Sequence, residues 1–113
     1  MYAIDVSDRT DGRADAFIKM LDWLNEVVGP LVSEDQRTAE INDNGSKRFF
    51  KIEGTGWYYE YCSIRIGAND TREFKLPKFF HDAGQRAGGS TLYTSKVMYI
   101  EDPIHAVAFK LTW

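Results

Sequence analysis

The residue types that could carry out catalysis here are a histidine beside an acid, His81-Asp82, and a single cysteine, Cys62. A His-Asp pair occurs in metal-dependent phosphohydrolases, but such a centre needs further ligands, and only His105 remains. Cys62 lies among aromatic residues, where cysteine behaves as a small buried hydrophobe. We therefore predict no catalytic residue, no metal site and no cofactor. A small enzyme centred on His81, Asp82 and Cys62 is our third hypothesis.

Aromatic and basic residues are concentrated between Lys47 and Lys78, in the stretch KRFFKIEGTGWYYEYCSIRIGANDTREFKLPK. Bases of single-stranded nucleic acid stack on the aromatic side chains of sheets, and cations follow the phosphates. A nucleic-acid surface is therefore the second hypothesis. Its cations would be Lys47, Arg48, Lys51, Arg65 and Lys75. The net charge of −3 counts against it, because a basic footprint is the first requirement.

Charge is distributed unevenly along the chain. Residues 1–46 contain ten acidic and four basic residues, whereas residues 47–78 contain four acidic and seven basic residues. Surfaces of opposite sign can each attract a partner. Together with the missing catalytic pattern, this predicts a non-enzymatic protein-binding module, which is the first hypothesis.

Two surfaces could bind the partner protein in that hypothesis. One is the acidic face of a helix with a neighbouring aromatic residue, formed by Asp15, Asp22, Glu26 and Trp23. The other is an aromatic patch on a sheet, formed by Trp57, Tyr59 and Tyr61. Small acidic α+β proteins without a catalytic motif are often stoichiometric inhibitors, such as immunity proteins or phage counter-defence proteins. By this analogy of size and charge, we expect a viral protein that inhibits a larger partner.

The bulk properties indicate an ordinary globular chain. Its 113 residues predict one domain, residues 1–113. A single cysteine excludes a disulfide within the chain. No apolar run reaches the ~20 residues of a transmembrane helix, and the opening MYAIDVSDRT has neither the basic nor the apolar segment of a signal peptide. We therefore expect a cytoplasmic protein without a membrane partner.

One amphipathic helix is predicted from about residue 13 to residue 28. Apolar residues recur there at spacings of three and four, at Phe17, Leu21, Leu24 and Val28. Gly29-Pro30 ends the helix, because proline cannot continue it. We expect its apolar side to pack on one face of a sheet.

Hairpins are predicted on both sides of residues 47–52. Asn44-Gly45 is a strong signal for a two-residue turn, and with this turn Ile41 would lie opposite Arg48. The polar residues 31–37 would form the loop that leads into the first strand.

The second hairpin turn is Thr55-Gly56. It sets Lys51 opposite Glu60, and this pairing of opposite charges favours the register over its one-residue alternative.

A third turn within residues 67–71 would pair Ile64 with Phe74. In this arrangement Tyr59 and Tyr61 share a face with the apolar residues of the earlier strands, whereas Ile64 lies on the other face. Side chains alternate strictly along a strand. Either a bulge near Tyr61-Cys62 therefore shifts the phase, or the sheet is apolar on both faces.

Two further elements are predicted after Pro77. A short second helix begins there, since proline suits a first helical turn, and ends at Gly88-Gly89. A terminal hairpin follows, with strands over residues 93–100 and 104–113. One face of its last strand would carry His105, Val107, Phe109, Leu111 and Trp113.

These elements together predict an α+β fold. It consists of an antiparallel sheet of five or more strands built from consecutive hairpins, with one main N-terminal helix on a face and a short second helix. An edge strand such as Thr38–Asn42 could pair with a second copy of the chain, which would give a homodimer.

Overall fold

The computed structural model describes residues 1–10, 13–42, 45–67, 77–85 and 87–113, with side chains at all of these except 35–42, 45, 46 and 87. Its strands are β1 (Tyr2–Asp5), β2 (Leu31–Asn42), β3 (Gly45–Gly54), β4 (Trp57–Ile66), β5 (Phe80–Gln85) and β6 (Thr91–Ile100). Its helices are α1 (Ser7–Thr10), α2 (Ala14–Trp23), the π-helical segment Leu24–Val28 that continues α2, a 3-10 turn at Ala87–Gly89, and α3 (Pro103–Thr112). The predicted α+β class with an antiparallel sheet is confirmed.

The sheet has the order β1-β6-β4-β3-β2, and β5 also pairs with β6. One edge of β6 carries β4, while the other is shared by β1, opposite Val97–Ile100, and by β5, opposite residues between Thr91 and Ser95. β1 and β5 therefore lie end to end. The Nε2 atom of His81 on β5 lies 2.6 Å from Oδ2 of Asp5 on β1, which joins the two strands where they meet.

The β3–β4 hairpin has the predicted register. Lys51 lies opposite Glu60, and the turn is Thr55-Gly56. Gly56 has a φ of 79°, a conformation that glycine adopts without steric cost. Two hydrogen bonds hold the turn from two sides. The Thr55 N–H donates to the Pro30 carbonyl at 2.9 Å, and the Glu101 N–H donates to the Gly56 carbonyl at 2.9 Å.

The predicted β2–β3 register is wrong. Arg48 pairs with Thr38, three residues away from the expected Ile41. The pairing begins at Asn42–Gly45, two residues away from the predicted register, and a register shift between Glu40 and Asn42 adds the third residue. β2 also begins at Leu31, so it includes the predicted loop 31–37. The turn residues 43–44 themselves lie outside the described residues.

The third predicted hairpin is also wrong in its pairing. Ile64 lies opposite Lys47 of β3 on one side and Tyr93 of β6 on the other, so both edges of β4 are occupied. The expected partner Phe74 lies outside the described residues. Both ladders run through all of β4 without a register shift. The change of apolar phase therefore comes from two apolar faces and not from a bulge.

The segment after Pro77 forms β5 instead of the predicted helix. Gly84 has a φ of 98°, which does not fit a helix. The strand pairs with the part of the β6 edge that β1 leaves open. This pairing is non-local, and hydrophobic periodicity over a short segment does not reveal it.

The last ten residues form the helix α3 instead of the predicted strand. Asp102 caps it, since its Oδ1 accepts the Ile104 N–H at 2.8 Å, and Pro103 occupies the first turn. Helical spacing turns Ala106 and Phe109 toward the sheet, where both are buried. The predicted common face of residues 105–113 therefore does not exist.

The main core lies between the helices and one sheet face, which we call the helix-side face. It contains Ile4, Val6, Met20, Leu24, Ile52, Trp57, Tyr59, Met98, Ile100, Ala106 and Phe109. The opposite face, which we call the far face, also has buried positions at Cys62, Ile64 and Val97. Among the described residues, the helices α2 and α3 contribute to the first core alone.

Candidate functional site

The outer side of α3 is apolar. Ile104, Val107 and Leu111 are 76, 56 and 84 % exposed. Their spacings of three and four place them on one side of the helix, opposite the buried Ala106 and Phe109. A single exposed aliphatic residue is normal, but a contiguous row on one helix marks an interaction surface. We call this row the α3 stripe.

The outer side of α2 and of the π-helical segment that continues it is acidic. Asp15, Asp22 and Glu26 are all exposed, and their spacings of seven and four place them on one side. Lys19 is exposed on the same side, so the net charge of the four residues is −2. Ile18, also exposed, adds an apolar contact to this row. We call it the acidic stripe, and it presents the predicted acidic helix face at the surface.

An aromatic contact places the two stripes on neighbouring helices. The Trp23 and Phe109 rings meet edge to face, with centroids 6.0 Å apart. Trp23 is partly buried and packs against the core. Its position in the sequence suggested an exposed anchor, whereas in the structure its ring fills the space between α2 and α3.

The predicted aromatic patch is not a surface. Trp57 is 1 % exposed and Tyr59 4 % exposed, because the helices cover their end of β4. The Trp57 Nε1–H donates to the Gly29 carbonyl at 2.7 Å, so its polar atom is satisfied inside the protein. Tyr61 alone of the three predicted residues is only partly buried. A partner could therefore not contact the patch as a unit in this conformation.

The predicted nucleic-acid cations are divided between the two faces. Strand alternation places Lys47 and Lys51 on the far face, and Arg48 and Arg65 on the helix-side face. Lys75 lies outside the described residues. Since adjacent positions on a strand point to opposite faces, the sequence could name the cations but could not show which of them act together.

Lys51 is already engaged on the far face. Its Nζ lies 3.0 Å from the Glu53 carboxylate and 4.5 Å above the Tyr58 ring. The hydrogen bond to Glu53 raises the pKa of Lys51 above its usual value. The Tyr58 ring in turn stacks on Tyr99, with centroids 4.4 Å apart. These contacts form a surface cluster on the far face. An external ligand would have to compete with them for Lys51.

A groove lies where α1 leads into α2, and sequence reasoning missed it. It has a volume of about 450 Å³ and is lined by Thr10, Arg13, Ala14, Phe17, Tyr59 and Lys96. The Phe17 and Tyr59 rings lie 4.8 Å apart along its wall. Arg13 and Lys96 come from distant parts of the chain, and the β1–β6 pairing together with the packing of Phe17 on Tyr59 brings them together. No local pattern could have revealed this combination.

The residues of the enzyme hypothesis are not brought together. Cys62 and Phe80 both lie opposite Ser95, so His81, next to Phe80, projects from the other face. Burial raises the pKa of the Cys62 thiol, an effect that Lys47 opposes and Glu60 reinforces. Within the described ranges, no three His, Cys, Asp or Glu side chains are grouped so that they could hold a metal ion.

His81 instead pairs with Asp5. Burial alone raises the pKa of Asp5, but the hydrogen bonds from His81 and from the Ser7 N–H outweigh it and hold the pKa below the ordinary 3.8. A carboxylate with a lowered pKa stabilises the folded state above its unfolded pKa, and this contribution is lost as the pH falls through the folded value. The pair therefore couples the β1–β5 junction to pH below about 4.

We expect Asp5→Asn to lower stability at pH 6 and to reduce the loss of stability between pH 5 and pH 3. Urea unfolding at both pH values measures this. Asp8→Asn, which changes an exposed carboxylate on the neighbouring α1, is the matched control and should keep the wild-type pH dependence. An Asp5→Asn variant that loses as much stability on acidification as the wild type would contradict the assignment.

Comparison with known proteins does not indicate a function for this chain. Neither a family model, a curated protein nor a solved structure matches the chain. Among the helices that the structure describes, none is both long and apolar enough to cross a bilayer. The two helix stripes and the groove are therefore the features on which proposals rest.

Proposed function

We propose that this protein is a non-enzymatic binding module whose helix layer docks onto a partner protein. The observation that carries the proposal is the α3 stripe, three large aliphatic side chains exposed on one side of a helix. Fully burying such a side chain contributes about 1.5–3 kcal/mol, so covering the stripe is a strong driving force for association.

The surroundings of the stripe indicate the chemistry of the partner. A stable interface buries about 800 Å² on each partner, more than three side chains supply. The acidic stripe on the adjacent α2 extends the surface and adds Ile18 as a further apolar contact. A complementary partner therefore has an apolar groove flanked by basic residues. Opposite charges would steer the encounter and select the partner.

Stoichiometric inhibition is the specific form of this function that we propose. A small acidic domain that covers a basic functional surface of a larger cytoplasmic partner blocks it without catalysis of its own. Immunity proteins and phage counter-defence proteins act in this way, and the size and charge of this chain support the comparison. The outer helix faces, and not the buried Trp57 and Tyr59, would form the contact.

A capture experiment with two matched variants tests the proposal. Immobilised protein is incubated with a lysate of the cells in which the gene is expressed, and retained proteins are identified by mass spectrometry. We expect Val107→Asp to reduce recovery of the partner at least tenfold, because burying an unpaired carboxylate costs several kcal/mol. The control is Val32→Asp, a similar change at a residue of β2 that is 63 % exposed.

The result is informative in each direction. Retention of one protein by the wild type and by Val32→Asp, but not by Val107→Asp, supports docking through α3. Light scattering on the purified complex should then give one copy of each chain. Recovery of the same protein by all three, or recovery of nucleic acid alone, contradicts the proposal.

A further inference from the structure

On the helix-side face, β4 changes from core residues to more polar residues beyond Tyr59. Phe17 of α2 packs on Tyr59, which is buried. The next positions of β4 on this face are Tyr61, Ser63 and Arg65, of which Tyr61 is partly buried, Ser63 is buried and Arg65 is exposed. We call the rows of the sheet that contain these three positions the polar half.

Cations flank this line of β4 residues on both sides. Lys96 of β6 lies opposite Tyr61, and Arg48 of β3 lies in the next row. Arg65 occupies the third row, where its Nε–H donates to Ser90 Oγ at 2.8 Å and fixes the plane of the guanidinium. Successive side chains on one face of a strand are about 6.8 Å apart, so each of the three rows of the polar half carries one cation at this spacing.

The groove at the start of α2 continues the same surface. Lys96 lines both, and the exposed Arg13 adds a fourth cation at the far side of the groove. Asp5, an acid at this edge of β6, already accepts a hydrogen bond from His81. The surface therefore combines positive charge with an aromatic ring, although the chain as a whole is acidic.

We propose that single-stranded nucleic acid binds along the polar half of the helix-side face. Its phosphates would lie at Arg13, Lys96, Arg48 and Arg65, and a base would stack on Tyr61. Cations that track a backbone beside an aromatic platform are the general solution for single strands. From the Tyr59 row to the Arg65 row the surface extends about 20 Å, which suits a linear ligand better than a small ion.

The site is independent of the proposed protein partner. That partner would cover the outer sides of α2 and α3, whereas the nucleic acid would contact Arg13 at the start of α2 and the sheet beyond the helices. The proposal also sharpens the second sequence hypothesis, because it retains Arg48 and Arg65 and excludes Lys47 and Lys51, which lie on the far face.

Fluorescence anisotropy with a labelled oligothymidylate at 50 mM salt tests the proposal, and adjacent residues of β3 supply a matched pair. Arg48→Gln and Lys47→Gln each remove one exposed cation, but from opposite faces. With four phosphate contacts, the wild-type affinity should fall about 50-fold between 50 and 200 mM salt. Arg48→Gln should weaken binding and flatten the slope of log K against log salt by about 0.7, whereas Lys47→Gln should change neither.

A third variant tests the stacking contact. Tyr61→Leu keeps the apolar packing against the core but removes the ring, and we expect about tenfold weaker binding. Circular dichroism and the urea midpoint establish that each variant is folded. Equal weakening by Arg48→Gln and Lys47→Gln, or no binding at low salt, overturns the proposal. Displacement of the oligonucleotide by polyglutamate at equal charge concentration also overturns it, since it would show a surface for acidic proteins.

Discussion

Phe109→Ala is expected to lower the free energy of unfolding by about 3–5 kcal/mol, whereas Val107→Ala should change it by less than about 0.5 kcal/mol. Phe109 is fully buried between α3 and the sheet, where its ring meets Trp23. Val107 lies two positions earlier on the outer side of the helix and is more than half exposed. The contrast follows from helical geometry, in which residues two apart point in nearly opposite directions.

Urea unfolding followed by far-ultraviolet circular dichroism measures both variants. This signal reports the backbone and is insensitive to changes in the environment of Trp23. The strand that the sequence pattern predicted would place Val107 and Phe109 side by side on one face, so both substitutions would be costly. A large loss for Val107→Ala would therefore contradict the helix and remove the α3 stripe together with the proposed docking surface.

The C-terminal helix shows why alternation alone misleads. Apolar residues at every second position from Val107 to Trp113 fit a strand, yet Ala106 and Phe109 fit a helix equally well. The exposed Val107 and Leu111 create the ambiguity, because exposed aliphatic residues look like core residues in the sequence. The helix start at Asp102-Pro103 was the local signal that favoured the correct assignment.

The β3–β4 hairpin could be predicted to the residue because its determinants are local. A glycine turn and the opposite charges of Lys51 and Glu60 agree on one register. The positions of β5 and β6 depend instead on pairing between distant segments, as does the end-to-end arrangement of β1 and β5. A single sequence carries no comparable signal for such contacts.

The candidate surfaces also differ in whether a local sequence pattern could predict them. Spacing along one helix predicted the acidic stripe of Asp15, Asp22 and Glu26, since it needs no knowledge of other elements. The basic surface needed the sheet, because Arg48 and Arg65 meet Lys96 only through two strand pairings. Trp57 and Tyr59 were assigned to a surface because aromatic residues in strands serve cores and binding sites alike.

Gly54→Ala is expected to cost about 3 kcal/mol, an unusually large loss for the addition of one methyl group. A Cβ at Gly54 would overlap the Trp57 indole at Cε2 and Nε1, far inside van der Waals contact. The indole cannot move away easily, because it is buried and its Nε1–H is bonded to the Gly29 carbonyl at 2.7 Å. Gly29 is confined in turn, since a Cβ there would overlap Thr55 in the β3–β4 turn.

A substitution at a second glycine, Gly88, distinguishes the effect of this clash from the effect of backbone strain. Gly88 has a φ of 85°, and among the described residues other than its chain neighbours no atom lies within 4 Å of the position that an added methyl group would take. Gly88→Ala should therefore cost only the roughly 1–3 kcal/mol of a strained backbone. At Gly54 the cost should depend on the neighbouring ring. In a Trp57→Ala background, which itself loses about 3–5 kcal/mol, Gly54→Ala should become neutral or slightly stabilising.

The double-mutant cycle, measured by urea unfolding, gives the coupling between Gly54 and Trp57 directly. A coupling near zero would mean that the glycine is required for a reason other than the indole. A coupling close to the full cost of Gly54→Ala would establish that Trp57 is clamped between β3 and the Gly29 carbonyl. The same clamp fixes the end of the π-helical segment against the β3–β4 turn, and it therefore sets the position of the helix that carries the acidic stripe.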